Sequence, residues 1–581
     1  MSKNKPLAVI SGFGGINSSG RSSNFLGYKN LVFNSLKEKE QLEVLQDLAI
    51  LQGKIETVGS GWETVSGDSI NLKEYLLENE SSIRKDCFIR KIDKEVYDPD
   101  GIILDKIKAS AAGQLPKGFD PSNYYPARQH PKALQMTIFG MSDAIGQLGF
   151  KWEEVQERIN PDEVSVFSGA AIGQLDSFGF GGLMQSRIKG SRASSKNLAL
   201  GLVEMSADFI NAYVLGNVGR TGHSVGACAT FLYNLQMGKE AIESGSARVV
   251  IVGGAEAPIT PEIVDGFYAM SALADDKRMI ELQAQNNEDI SKGPNQNKAC
   301  RPFGNNVGMV LGESAQFVIL MEDSLAVDLG AKIYGAVSSV SSHSDGFKSS
   351  ISGPGIGNYI TVAKCISEGE KILGTKKIRN QSFVHAHGTG TPANRTTESH
   401  ILNEIANTFG IKSWPVTGIK SYLGHSMAPA SGDQLVTALG TWNKGIIPGV
   451  HSTDAIADDV HDDNLEILLE NKVSEKSFYS AALLNAKGFG GNNASALILS
   501  PTEAENLLKQ KYSKRKLSNF KSKQEDTEVK SRQHNKRCLK GNYNIIYKFN
   551  ENVLQGETDV KIDKSKINLK NFKNPINLKR K

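Results

Sequence analysis

Cysteine is scarce in this chain, with five residues among 581. The five show no Cys-x-x-Cys pair, no Cys and His spacing suited to zinc, and no framework typical of a disulfide-rich secreted protein. We therefore expect no metal, no other cofactor and a reducing compartment. A cytoplasmic location is the prediction that follows.

Long apolar runs are missing as well. No stretch approaches the roughly 18 residues that a membrane span requires. Residues 1–6 pass directly into a short predicted strand, residues 7–10, rather than into an apolar leader. We expect no membrane association, although a chain of this length can bury a sizeable core.

Cys228 is the most informative residue that is present. It stands between a glycine-rich turn, 222–227, and a segment, 229–237, whose apolar periodicity predicts a helix. Unpaired N–H groups and the positive dipole end at a helix start favour the thiolate, so we expect a lowered pKa for Cys228 and a nucleophile. The alternative is a small buried cysteine that only packs a helix against a strand.

Three further motifs each follow an apolar segment of strand type. The motifs are residues 385–392 with His387, residues 420–426 with His425, and residues 485–493 with Phe489. Strands that alternate with amphipathic helices predict an α/β fold. Active sites of such folds lie at strand ends, so these polar groups are expected to share one cleft with Cys228.

These four ordered motifs resemble the β-ketoacyl-acyl-carrier-protein synthases of the thiolase superfamily, over about residues 5–500. Residues 12–15 and 118–121 are also similar to the longer bacterial subgroup that starts fatty-acid synthesis. The resemblance implies an α/β fold with the thiolase-like duplicated αβαβα five-layer architecture, and a homodimer.

The implied organisation has two halves and an extension. Residues 1–270 would carry the nucleophile, with an insertion or cap at about 16–130, and residues 271–500 would carry both histidines. Residues 501–581 would form a basic C-terminal extension.

Carbon–carbon bond formation between thioesters needs an acyl carrier, a stabilised carbanion and donors for two oxyanions. Cys228 would carry the acyl group. Decarboxylation of a malonyl thioester leaves an enolate, which neutral His387 and His425 would stabilise by donating N–H groups. The backbone N–H groups of Cys228 and Phe489 would form the oxyanion hole, since flanking glycines let the main chain approach closely.

The resemblance adds four supporting residues to this site. Thr389 and Thr391 would face the malonyl group and its thioester arm, while Lys420 and Glu398 would support the histidines. The partners implied are acyl carrier protein and acyl thioesters on that protein or on coenzyme A.

These residues predict a β-ketoacyl-acyl-carrier-protein synthase of fatty-acid biosynthesis that performs a decarboxylative Claisen condensation. A polyketide or specialised-lipid ketosynthase is the alternative with the same machinery. A noncatalytic scaffold with a basic binding tail is the alternative of another class, and the intact set of Cys228, His387 and His425 opposes it.

The chain departs from the family pattern in several places. Arg395 stands where most relatives have an aspartate, and Gln434 stands where they usually have a glutamate, so the support of Lys420 is expected to be rewired. Lys487 replaces a gating phenylalanine, and a cation cannot line a long apolar tunnel without a large cost. A short primer, or different gating, follows. The geometry of loop 301–308, which lacks the aspartate and arginine of relatives, is left open.

Two segments imitate functional motifs. Residues 177–182 look like the C-terminal glycine signature, but they precede the nucleophile and follow no clear strand. Residues 15–22 imitate a phosphate-binding loop, with arginine in place of the expected lysine. His223 and His385 flank motif residues and are interpreted as structural.

Charge is distributed unevenly along the chain. Residues 501–581 hold 21 Lys and Arg against nine Asp and Glu, a net charge of +12, which leaves −8 for residues 1–500 of a chain whose total is +4. The extension is predicted to begin as helix and to hold a strand at 543–549. We expect a solvated extension; steering of acidic acyl carrier protein is the first alternative, and non-specific nucleic-acid binding comes last because no recognition motif accompanies the charge.

Overall fold

The computed structural model of the chain describes residues 5–97, 107–350 and 353–578. Its centre is a large mixed sheet made of two similar halves. The strands of the first half are β1 (Ala8–Asn17), β2 (Val164–Gly169), β3 (Thr221–Gly222), β4 (Val249–Glu256) and β5 (Ser314–Glu322). The strands of the second half are β6 (Gly335–Ser344), β7 (Ser382–His385), β8 (Trp414–Thr417), β9 (Leu465–Ile467), β10 (Ala481–Gly488) and β11 (Asn492–Leu499).

The two halves repeat one topology. The first has the order β3-β2-β4-β5-β1, and the second has β8-β7-β10-β11-β6 with β9 added at its edge. In each half the first three neighbours are parallel and the last two pairings are antiparallel. The first strand of each half also carries a register shift, at Ile10/Gly12 and at Val337/Ser339. A short pairing of β1 with β6 joins the halves.

Eight longer helices surround these strands. They are α1 (Glu38–Leu51), α2 (Lys132–Gln147), α3 (Thr230–Glu243), α4 (Gly357–Leu373), α5 (Pro392–Phe409), α6 (Ala430–Lys444), α7 (Pro501–Lys511) and α8 (Lys514–Cys538). Helices α3 and α6 contact each other and both halves of the sheet, while α2 covers the first half and α4 covers the second. The layers are therefore α, β, α, β and α, and the expected duplicated five-layer architecture is confirmed.

Shorter α-helices lie between these elements. They are Leu26–Leu31, Leu72–Glu78, Glu80–Arg84, Lys94–Tyr97, Trp152–Gln156, Phe180–Gln185, Ser195–Gly201, Met205–Phe209, Pro261–Ala269, Asp276–Gln285, Asp323–Leu329, Thr375–Asn380, Lys420–Leu423 and Gly556–Asp559. The central strands are apolar on both faces because helices cover them on both sides. Their ends are the places left for polar groups.

The C-terminal extension packs on the body of the protein, so the expectation of a solvated extension is wrong. Phe520 and Tyr543 are both only 4% exposed, and they join the same apolar core as the first half. The predicted helix is present as α7 and α8. The extension was predicted to be solvated because lysines dominate its composition. Composition does not show that its few apolar side chains point inward.

The strand predicted at 543–549 is not formed. This segment is extended but belongs to no ladder. The N–H of Ile546 donates to Ser142 Oγ at 2.9 Å, and the N–H of Lys548 donates to the Tyr213 carbonyl at 2.8 Å. These two N–H groups are therefore satisfied by a side chain of α2 and by a carbonyl of the helical segment Ile210–Leu215 rather than by a strand edge.

A buried ion network ties the extension to the first half. Arg21 is fully buried and lies 3.0 Å from both Asp47 and Asp143, and it donates to Asn535 Oδ1 of α8 at 3.0 Å. The same contacts explain residues 15–22, whose sequence resembles a phosphate-binding loop. The segment forms a strand end and a tight turn, and its arginine faces carboxylates inside the protein.

Among the described residues, no single helix is long and apolar enough to cross a membrane. One bent pair, Ser195–Gly201 with Met205–Leu215 at 102°, meets the criteria of length and composition.

Candidate active site

A cavity of about 450 Å³ opens where the two halves meet. Its walls include six of the eight predicted site residues: Cys228, His387, His425, Thr389, Thr391 and Phe489. The remaining two, Lys420 and Glu398, lie directly behind His387. Strand ends that are far apart in sequence therefore bring all four motifs to one cleft.

Cys228 lies on a strained turn just before α3. The residue before it, Ala227, has a φ of +50°, which is uncommon for a residue with a side chain. Thr230 holds this turn, because its Oγ1 accepts from the Gly226 N–H at 3.0 Å and donates to the Ala227 carbonyl at 2.7 Å. The strain is maintained by the fold and points the sulfur into the cavity.

The loop after β10 closes on this turn. A Cβ at Gly488 would lie 2.3 Å from the Gly226 carbonyl oxygen, so only glycine permits the approach. The backbone N–H groups of Phe489 and of Cys228 both lie near enough to the Cys228 sulfur to lower the pKa of its thiol. Two N–H groups that converge beside the nucleophile are the geometry an oxyanion hole requires.

The acidity of Cys228 differs from the expectation. Burial raises the pKa of the thiol to about 11, and the Lys420 charge and the two backbone N–H groups oppose this only in part. The predicted lowering of the pKa is therefore wrong. A helix start lowers the pKa of a cysteine, but burial has the larger effect here because Cys228 is only 5% exposed and lies within an apolar cluster.

Both histidines are placed to donate from Nε2. His425 Nδ1 accepts from the Met427 N–H at 3.2 Å, so the proton of its neutral ring is on Nε2. Lys420 Nζ lies 3.4 Å from His387 Nδ1, and an ammonium can only donate, so the same tautomer follows for His387. The two rings are 5.3 Å apart and nearly perpendicular.

Burial lowers the pKa of His387 and of His425, and the charge of Lys420 lowers both further. The direction agrees with the expectation of neutral rings. His425 Nε2 has no hydrogen-bond partner within the described ranges, which leaves it for a reactant. Two neutral N–H donors can stabilise one developing negative oxygen.

Lys420 and Glu398 support the first histidine from two sides. Lys420 Nζ also donates to the His387 carbonyl. Glu398 is fully buried, and its carboxylate accepts from the N–H groups of His387 at 2.6 Å and Gly388 at 2.8 Å. Asn394 and Asn485 donate to the same carboxylate at 2.9 and 2.8 Å. These contacts fix the loop that carries His387.

Thr389 and Thr391 both line the cavity. Their hydroxyl oxygens are 3.1 Å apart, so they form a small polar edge. This is the side on which the resemblance places the thioester arm.

Sequence reasoning missed Glu256. This buried carboxylate ends β4 and accepts from the N–H groups of Ala171 at 2.7 Å, Ile172 at 3.2 Å and Ala428 at 3.3 Å. Burial raises its pKa to about 7. The signal was present, because an acidic residue directly after an apolar strand has a strand-end position like those of the four motifs.

The departures from the family pattern occupy distinct places. Arg395 points away from Lys420 and forms a double ion pair with Asp459, at 2.8 and 2.9 Å. Gln434 donates to the Ala386 carbonyl at 2.8 Å, beside the His387 loop, while Asp433 accepts from Ser426 at 2.6 Å, next to His425. Gln434 thus contacts the backbone of the His387 loop and Asp433 contacts a side chain of the His425 loop, while the rewired support of Lys420 stays a prediction.

Loop 301–308 packs on the His387 loop. A Cβ at Gly390 would lie 3.1 Å from both Cys300 Sγ and the Gly308 carbonyl oxygen. The loop therefore supports the threonine edge from behind, although it lacks the charged pair expected of relatives.

The imitating segment 177–182 does not line the cavity within the described chain. It forms a turn that enters the helix Phe180–Gln185. His385 is fully buried with a pKa lowered to about 3 by burial, and His223 sits against Gly169. Both ring nitrogens of His385 and Nε2 of His223 have no hydrogen-bond partner among the described residues, so the structural interpretation of these histidines stays a prediction.

One cluster outside the cavity has metal-ligating atoms. Atoms of Asp143, His534 and Cys538 lie within 4.8 Å of one another. Arg21 lies 3.0 Å from Asp143, and a guanidinium at that distance repels a cation. The expectation of no metal stays a prediction.

Comparison with known proteins agrees with this geometry. The family model "Beta-ketoacyl synthase, N-terminal domain" matches residues 54–326, and "Beta-ketoacyl synthase, C-terminal domain" matches residues 334–454. The chain is 41% identical to beta-ketoacyl-[acyl-carrier-protein] synthase FabY of Pseudomonas aeruginosa, over 98% of each chain. It is 28% identical to 3-oxoacyl-[acyl-carrier-protein] synthase 2 of Staphylococcus aureus, over 70% of this chain and 91% of that one.

Solved structures give the same result. The noncanonical ketosynthase FabY from P. aeruginosa superposes with a TM-score of 0.95 at 39% identity, and the match covers 100% of this chain and 98% of that one. A beta-ketoacyl synthase from Burkholderia phymatum has a TM-score of 0.60 at 19% identity, over 85% of this chain and 99% of that one, and so shares the fold. Since family models span both halves and a full-length relative is 41% identical, the chain belongs to the β-ketoacyl synthase family of acyltransferases.

Proposed function

We propose that this chain is a β-ketoacyl-acyl-carrier-protein synthase of fatty-acid biosynthesis. It takes an acyl group from a thioester onto Cys228, decarboxylates malonyl-acyl carrier protein, and joins the two. The observation that carries the proposal is the shared cavity, in which one cysteine sulfur, two backbone N–H donors and two neutral histidines face the same space.

The geometry supports a reaction in two stages. Cys228 Sγ attacks the primer thioester, and the N–H groups of Cys228 and Phe489 stabilise the tetrahedral oxyanion while the carrier thiol leaves. In the second stage the malonyl carbon–carbon bond breaks, carbon dioxide departs and the electron pair forms an enolate. His387 and His425 donate to the enolate oxygen. The enolate carbon then attacks the acyl-enzyme, and the sulfur leaves from the 3-ketoacyl product.

Two observations favour a short primer. Cys228 packs in an apolar cluster with Phe267, Met309 and Met427, and a short acyl group requires the least rearrangement of these side chains. Lys487 lines the cavity, and a cation is a poor neighbour for an alkyl chain. An acetyl-sized group satisfies both constraints.

The proposed partners follow from the same chemistry. Acyl carrier protein delivers the malonyl group, and the primer arrives on that protein or on coenzyme A. We also propose a homodimer in the cytoplasm, as the family resemblance implies, which sedimentation of the purified protein would test.

A product assay tests the function directly. The purified protein is incubated with malonyl-acyl carrier protein and acetyl-, octanoyl- or palmitoyl-coenzyme A, and the condensed thioesters are identified by mass spectrometry. We expect 3-oxobutanoyl product from acetyl primer, little product from the longer primers, and none from Cys228→Ala. Folded protein that condenses no primer would overturn the proposal and favour a noncatalytic role.

A further inference from the structure

Lys487 places a positive charge inside the candidate active site. It is the second-last residue of β10 and precedes Phe489 by two positions, so it lies next to the oxyanion loop. Its Nζ donates to Thr397 Oγ1 of α5 at 2.8 Å, and its side chain lines the cavity together with Cys228 and His387.

The charge has no direct counter-ion. Within the described residues no carboxylate lies within 4 Å of Lys487 Nζ, and its hydrogen-bond partner is a neutral hydroxyl. Other cations of the same cavity are paired, since Arg278 contacts Asp275 and Lys348 lies 3.5 Å from Asp345. A half-buried ammonium without a counter-ion is unfavourable. An anionic ligand that pairs with Lys487 would therefore be stabilised at this point of the cavity.

Nearby carboxylates are already engaged. Burial lowers the pKa of Lys487, and the more distant charges of Glu398 and Asp345 oppose this lowering only in part. Glu398 accepts four hydrogen bonds, as described above. Asp345 Oδ1 accepts from the Gly357 N–H at 3.0 Å and from Asn493 at 2.7 Å. Neither carboxylate is therefore available as a direct partner for the ammonium.

We propose that Lys487 binds the carboxylate of the extender thioester and so selects carboxylated acyl groups over uncharged ones. This inference rests on the proposed function. The histidines would hold the thioester oxygen at one end of the malonyl group, and Lys487 would hold the carboxylate at the other end.

The reaction limits how strong this contact can be. When the malonyl carbon–carbon bond breaks, its electron pair moves to the α-carbon and thioester oxygen, and the carboxylate leaves as neutral carbon dioxide. Lys487 keeps its proton throughout. The ion pair thus exists in the bound substrate and fades in the transition state, so it lowers KM and does not raise kcat. After carbon dioxide leaves, the Thr397 hydroxyl still satisfies one N–H of the ammonium.

Steady-state kinetics with two Lys487 variants test the proposal. For Lys487→Met we expect the KM for malonyl-acyl carrier protein to rise about tenfold, the effect of about 1.4 kcal/mol of binding. Acylation of Cys228 by acetyl thioester, measured alone by mass spectrometry, should change less than about twofold because that substrate has no carboxylate. For Lys487→Arg, which keeps the charge, the KM should stay near the wild-type value. The control is Lys376→Met, which removes an exposed lysine from the same half.

A competition assay gives a second readout. Acetyl-acyl carrier protein should compete weakly with malonyl-acyl carrier protein in the wild type and markedly better in Lys487→Met. An unchanged malonyl KM in folded Lys487→Met, or a KM in Lys487→Arg raised as much as in Lys487→Met, would overturn the inference. Absence of condensation by the wild type would instead overturn the proposed function.

Discussion

At the residue scale, the candidate site depends on the balance between burial and nearby donors. The Cys228 sulfur is enclosed by apolar side chains, yet two backbone N–H groups and the Lys420 charge act on it. Burial affects the pKa more than the donors do, so Cys228 rests as a thiol. Its anion forms only transiently, and the donors that later hold an oxyanion also stabilise it.

The pH dependence of Cys228 alkylation follows from this balance. Because its pKa is about 11, the thiolate fraction rises as pH increases through the neutral range. We expect the iodoacetamide rate to increase about tenfold per pH unit from pH 7 to pH 9, the slope of a group well below its pKa. Mass spectrometry follows the modified peptide, with Cys228→Ser as the control. A rate that levels off near pH 7 would contradict the buried-thiol description.

Glu256 predicts a pH-dependent stability. Burial raises its pKa from 4.5 to about 7, so the folded state prefers the protonated carboxyl. This contribution is fully present below about pH 4.5 and is lost as pH rises through about 7. It amounts to at most about 3 kcal/mol, at 1.36 kcal/mol per pKa unit.

Urea unfolding at pH 5, 6, 7 and 8 measures this contribution. Relative to wild type, Glu256→Gln should lose a steady amount of unfolding free energy, because its amide cannot accept from all three N–H groups, and should show a flatter decline as pH rises. Parallel curves for the two proteins would show that Glu256 does not titrate in this range.

At the scale of elements, the site forms where two loops contact each other. The turn before α3 and the turn between β10 and β11 approach each other at Gly226 and Gly488, where the absence of side chains permits the contact. The sequence predicted both loops well, because a glycine-rich turn after an apolar strand is a strong local signal. It could not predict the contacts behind them. That Glu398 binds the N–H groups of His387 and Gly388 depends on the packing of α5, and that Arg395 turns to Asp459 depends on residues 64 positions apart.

The variant Gly488→Ala tests the close contact between these two loops. The added Cβ would lie 2.3 Å from the Gly226 carbonyl oxygen and would push the Phe489 N–H away from the sulfur. We expect kcat to fall by about 100-fold, as after loss of one oxyanion donor. Condensation rates check this, with Gly266→Ala as the control, because a Cβ there meets nothing within 4 Å. Near-normal turnover by Gly488→Ala would argue against an oxyanion role for this loop.

At the scale of the whole molecule, the extension contributes buried side chains, among them Phe520 and Tyr543, to the core. The duplicated architecture was predictable from the resemblance to the thiolase superfamily, whereas the sequence itself showed no convincing repeat and no shared pairing order of the two halves. The position of the extension was not predictable. Its inward-facing residues are few and separated by lysines, and their partners lie far away in the chain, in α2 and in the helix Asp323–Leu329 among others.

Phe520→Ala measures what the extension contributes. The ring is 4% exposed within the core of the first half, so its loss should lower the free energy of unfolding by about 3–5 kcal/mol. Chemical denaturation checks the value, and Lys521→Ala, at an exposed neighbour, should change it by less than about 0.5 kcal/mol. A Phe520→Ala protein as stable as wild type would show that the extension is loosely attached.

The contact of Asn535 with Arg21 has a consequence for biosynthesis. A ribosome delivers residues in chain order, so the guanidinium at position 21 meets its amide partner only when α8 has emerged. Until then the nascent polypeptide holds an incompletely covered charge beside β1. The surroundings of Arg21 are therefore completed by a helix residue that is synthesised 514 positions later.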